Sequence, residues 1–112
     1  MNNIKNDKYY LNKSLEEINT IQKYMSKIIS YQSFIKDVLT TDAVMFRLIQ
    51  LVEHIKNISE EFKNNHADIP WGSIVGFRNG IVHEYGKTDY TIVYEIVTND
   101  LKDLKELFES VL

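Results

Sequence analysis

The sequence has no cysteine, one proline, four glycines and only two arginines, and it carries no net positive charge. Without cysteine neither a disulfide framework nor a thiolate zinc cluster can form, so the fold must rest on packing, and the composition fits a reducing compartment. A net charge of −3 argues against a protein that coats nucleic acid, which needs clustered Lys and Arg to release counterions. It leaves room for a small, local phosphate site. No apolar run approaches the ~18 residues of a membrane span. The polar start Met1-Asn2-Asn3-Ile4-Lys5-Asn6 has no signal-peptide core, so the expected location is cytoplasmic. The 112 residues are one domain's worth, enough to bury a core without covalent help.

The proline and all four glycines fall between residues 70 and 86, so nearly all punctuation is gathered there and the rest reads as helix without strand signals. From about Lys8 to Tyr31, Leu11, Leu15, Ile18, Gln22, Met25 and Ile29 repeat at alternating four and three, a helical stripe with one polar interruption. Residues 30–40 read as a short helical turn or a loop. Thr41 or Asp42 suits the N-cap of a second long helix to about Asn64, striped by Val44, Leu48, Leu51, Ile55, Ile58 and Phe62. Met45, Ile49 and Val52 add a second apolar row, so this helix is expected to touch two partners, one of them a second subunit. Arg47, between the rows, suits a core-edge arginine paired to a carboxylate, or else a second contribution to an anion site. Pro70 opens a third helix expected to run to about Glu84, ended by Gly86. Thr88 or Asp89 caps a last one that continues to the C-terminus with a bend near Asn99-Asp100. The expected fold is an all-α, four- to five-helix up-and-down bundle in a single domain, residues 1–112.

One stretch breaks this pattern. Residues 74–85 place Arg78, Asn79, His83 and Tyr85 within an otherwise apolar helix, where a cation and a group that titrates near neutrality cost stability unless paired or used. On a regular helix Arg78 and His83, five apart, point about 140° from each other. Asn79 and His83 share a face. By residue type alone the pair suits a salt bridge and a C-terminal cap, with Glu84 as a partner for His83. The same types also suit metal-free RNA cleavage. An imidazole can move the proton of a ribose 2′-hydroxyl or of the leaving oxygen. A guanidinium can hold the phosphate and its transition-state charge, and Asn79 can orient either. His54 and His66 read as surface residues, the Tyr9-Tyr10 pair and Tyr94 as packing or interface groups. Asp100, Asp103, Glu106 and Glu109 read as a solvated face.

The order Ile69-Pro70-Trp71, Gly76-Phe77-Arg78-Asn79, Ile81-Val82-His83-Glu84-Tyr85 and Val93-Tyr94-Glu95-Ile96-Val97-Thr98-Asn99-Asp100-Leu101 closely resembles the HepT family of HEPN ribonuclease toxins. The resemblance runs collinearly from about Asp42 to the C-terminus and more loosely before it. It implies a HEPN bundle that pairs as a homodimer with a composite cleft. It implies an endoribonuclease of a type VII-like toxin–antitoxin module, with Arg78, Asn79 and His83 catalytic and no metal or other cofactor. It further implies a minimal nucleotidyltransferase (MNT-type) antitoxin that neutralises the toxin by AMP transfer to Tyr85, whose bulky anionic adduct would repel RNA phosphate. Gly80 stands where relatives often carry a larger, frequently basic residue. That departure motivates an alternative, a catalytically weak helical dimer whose task is to bind the nucleotidyltransferase. A purely structural helical dimer is the third reading.

Overall fold

The first helix, α1 (Asp7–Met25), starts where the Asn6 side chain accepts the Tyr9 N–H and stops at Ser26. The computed structural model describes residues 5–77, 82–83 and 87–112, and for Val82, His83 and Lys87 the backbone alone. Helix α1 is shorter than the expected 8–31 because two serines intervene. The Ser26 hydroxyl donates back to the Lys23 carbonyl, and Ser30 forms a reciprocal capping box with Ser33 that starts α2 (Tyr31–Lys36). Ile29, counted in the expected stripe, is therefore 90% exposed in the connection. The face that α1 buries is Leu11, Ser14, Glu17, Ile18 and Ile21.

Helix α3 (Val38–Lys56) begins earlier than Thr41 or Asp42. Asp37 is its cap, accepting the N–H and the hydroxyl of Thr40, and those two bonds hold the Asp37 carboxyl below its ordinary range. Thr41 lies inside the helix and is buried, its hydroxyl donating to the Val38 carbonyl. The expected single helix to Asn64 is two. After Lys56 the Ser59 N–H and hydroxyl both donate to the Asp7 carboxylate, each at 2.7 Å, and the Ser59 oxygen in turn caps α4 (Glu60–Asn65). The start of α1 is thus tied to the end of α3, and the two helices run antiparallel along their length.

Pro70 precedes α5 (Trp71–Val75). The expectation that this helix reaches Glu84 is corrected: Val82–His83 is extended and pairs antiparallel with Lys87–Thr88, Val82 opposite Thr88 and His83 opposite Lys87. Val82 is β-branched, a residue type that favours extended backbone. The ending expected at Gly86 lies outside the described residues. Asp89 caps α6 (Tyr90–Glu95) as expected, accepting from the N–H groups of Thr91 and Ile92. Where a bend was expected, residues Ile96–Asp100 form one π-helical turn, the Leu101 N–H reaching back to the Ile96 carbonyl, before α7 (Leu101–Ser110).

The elements form an all-α up-and-down bundle with a two-residue β ladder beside it. Val44, Leu48, Leu51 and Ile55 of α3 pack against Ile18 of α1 and Leu101 of α7, all at or near zero exposure. Tyr94 packs edge-on against Tyr31 and at a tilt against Phe34, and Tyr9 meets Tyr10 edge to face, the packing roles expected of them. Among the described residues no helix is long and apolar enough to cross a membrane.

Candidate active site

The segment singled out in the sequence is held from both sides. Upstream, Trp71 stacks on the buried Phe108 of α7 at 5.7 Å between ring centroids, and its indole N–H donates to the His66 carbonyl at 3.0 Å. Gly76 and Phe77 follow, the Gly76 N–H bonded to the Gly72 carbonyl. Downstream, the β ladder fixes the backbone of His83 opposite Lys87, and the Asp89 cap joins the ladder to α6. Arg78, Asn79, Tyr85 and Glu84, the proposed partner of His83, lie outside the described residues. Because His83 sits in extended backbone, the angular relations drawn on a helical wheel, including the shared face of Asn79 and His83, do not apply to it.

Next to Phe77 a cleft of about 500 Å³ opens between the α5 end and the α6–π wall. Phe77, Ile92 and Ile96 line it with apolar surface, and the Glu95 and Asp100 carboxyls line it with acceptors. Desolvation, with the nearby charges of Glu95 and Asp103, pushes the Asp100 carboxyl above its ordinary range. Gly76 belongs to the same wall, and a Cβ there would stand 3.3 Å from the Gly72 and Ser73 carbonyl oxygens. Sequence reasoning did not find this cleft, but its reading of Asp100 as part of a solvated face holds, since the residue is exposed although it lines the cleft. Asp103, Glu106 and Glu109 are exposed, as expected of them.

A second polar cluster lies inside the bundle. The Arg47 guanidinium donates to Glu17 Oε1 at 3.1 Å and His54 Nε2 stands 3.2 Å from Glu17 Oε2, so one buried carboxylate on α1 holds two residues of α3. Arg47 is the carboxylate-paired arginine expected. The hydrogen bonds it donates to the Tyr24 oxygen and then to Glu17 raise its already high pKa, and it stays charged. His54 is corrected: it is a largely buried interhelical partner, not a surface residue, because the face of α3 that reads as solvent-side is covered by α1. His66, also expected at the surface, is half-buried with its ring 4.3 Å from that of Phe62.

Comparison with known proteins places these features in a family. The description "Ribonuclease HepT-like" belongs to the family whose profile matches residues 14–111. The chain is 30% identical over 109 residues to "Putative RNase TTE0752" of Caldanaerobacter subterraneus subsp. tengcongensis, covering 97% of this chain and 96% of that one. It is 32% identical over 103 residues to "Probable ribonuclease HepT" of Thermococcus cleftensis, covering 92% and 93%. No solved structure matches it. With the all-α bundle and a family match over nearly its whole length, the chain belongs to the Ribonuclease HepT-like family.

Proposed function

We propose that this protein is an endoribonuclease that cleaves RNA without a metal ion, through Arg78, Asn79 and His83, and that it serves as the toxin of a toxin–antitoxin pair. The observation that carries the reading is the family match over residues 14–111, a span that includes all four residues whose types suit the chemistry. In that chemistry the ribose 2′-oxygen attacks phosphorus and the 5′-oxygen leaves, giving a 2′,3′-cyclic phosphate and a 5′-hydroxyl. His83 moves a proton at one of those oxygens. Arg78 holds the non-bridging oxygens as charge grows on them. Asn79 orients the phosphate or the imidazole.

The exposed apolar side of α3 supports a homodimer whose two copies build one cleft. Leu39, Phe46 and Ile49 stand 83%, 57% and 39% exposed in helical spacing on this side. Val52 of the expected second row is instead buried within the bundle, so the free face is displaced toward Phe46. Sedimentation is expected to give a dimer, and Phe46→Asp to give a monomer with much reduced cleavage; a wild-type monomer sinks the shared cleft.

The antitoxin in this reading is a minimal nucleotidyltransferase that places AMP on Tyr85, putting a bulky anion two residues from His83. Intact mass of the co-expressed protein checks it: an AMP increment lost in Tyr85→Phe is expected, and an unmodified mass speaks against it. The activity itself is tested by incubating the purified protein with RNA in EDTA. Cleavage is the expected result, and none would overturn the reading.

A further inference from the structure

Phe77, which lines the cleft, immediately precedes Arg78 in the chain. We propose that it is a base-recognition pocket, taking the base of a nucleotide next to the scissile bond and preferring guanine. The proposal rests on the endoribonuclease reading, which brings RNA to this segment, and extends it to sequence preference.

Three features of the wall carry the inference. At about 500 Å³ the cleft is in the range of sites for small organic molecules, roughly 300–1,000 Å³. Its apolar lining includes Phe77, an aromatic of the kind on which unpaired bases stack. Its polar lining includes two carboxyls, Glu95 and Asp100, which as carboxylates can only accept hydrogen bonds. Such a wall repels phosphate and suits a ligand edge that bears donors. Guanine presents an imino N–H and an exocyclic amine side by side, matching the two oxygens of one carboxylate. Adenine and cytosine offer an amine next to an acceptor, and uracil a single N–H between two acceptors.

The presence of both carboxyls on one wall is a property of the backbone. Glu95 and Asp100 are five residues apart, which on a regular α-helix turns them about 140° away from each other. The wider π turn at Ile96–Asp100, closed by the bond from the Leu101 N–H to the Ile96 carbonyl, lets both line the same cleft. Single π turns within α-helices recur at functional sites. Asp100 is exposed at the cleft, and partial desolvation followed by the like charges of Glu95 and Asp103 raises its pKa.

The test uses the full chain carrying His83→Ala, so that RNA is bound and not consumed, and fluorescently labelled eight-nucleotide RNAs that differ only in one G, A, C or U. The G-containing RNA is expected to bind more tightly than the others on the order of tenfold, the size of a two-point base contact. Asp100→Asn, nearly isosteric, should bring the four RNAs close to parity, and Glu95→Gln should narrow the gap. Equal binding of all four, or a G preference untouched by both substitutions, overturns the proposal. Cleavage of the same RNAs by the wild-type chain keeps the two readings apart. Cleavage without G preference sinks the pocket alone, and G-selective binding without any cleavage sinks the ribonuclease reading alone.

Discussion

Replacing His83 with alanine is expected to lower RNA cleavage by about 10²–10⁴-fold, the range lost when a positioned proton-transfer group is removed. Arg78→Ala should cost about 10²–10³-fold by removing the cation that meets charge on the phosphoryl oxygens. Arg78→Lys should not restore the rate, because an ammonium is a point charge and cannot bond two phosphate oxygens in one plane. The double variant should fall little below the worse single one, since groups that act together are not additive. The measurement is initial cleavage rate at saturating protein, with helicity by circular dichroism as the check on folding. Wild-type rates in both single variants would remove these residues from the mechanism.

The second large effect concerns the scaffold. Phe108→Ala is expected to destabilise the protein by about 3–5 kcal/mol. That is a large share of the ~5–15 kcal/mol that holds a domain together. Phe108 is fully buried and its ring stacks on Trp71, so the substitution opens a cavity under the helix that leads into the active segment. In a domain of this size a melting temperature lower by roughly 15 °C or more should result. Ile29→Ala, at a side chain that is 90% exposed, should leave the midpoint almost unchanged. Equal midpoints for the two variants would show that Trp71 and Phe108 do not carry the core.

What could be read in advance follows from how local its cause is. The stripe Val44, Leu48, Leu51, Ile55 is periodic in the sequence and buried in the structure, and Asp89 caps the helix after it because capping needs only near neighbours. The break after Lys56 has a distant cause, the Asp7 carboxylate taking two bonds from Ser59 across 52 residues, so the unbroken apolar spacing concealed it. His54 reads as exposed on its own helix and is covered only when Glu17 of α1 arrives over it. The extended backbone at Val82–His83 shows the ambiguity of short apolar runs, which fit a strand as well as a helical turn.

The candidate site divides in the same way. The chemistry proposed for it rests on residue types, an arginine, an asparagine, a histidine and a tyrosine that stand out within an apolar segment. The cleft beside Phe77 was not legible, because its walls come from residues 73–77 and 91–100 and Glu95 and Asp100 share it across a π turn. The exposed side of α3 was half legible: a second apolar row was evident, but the bundle takes Val52 and leaves Phe46 outside.

The central claim is attack by a 2′-hydroxyl without a metal, and a single substitution in the substrate addresses it. An RNA that the wild-type protein cleaves at a mapped position is remade with one 2′-deoxy nucleotide on the 5′ side of that bond and incubated with the protein in EDTA. The account predicts that cleavage at the deoxy position disappears while other sites are still cut, each leaving a 2′,3′-cyclic phosphate and a 5′-hydroxyl. Continued cutting at the deoxy position, or cutting that needs a divalent metal, would contradict it.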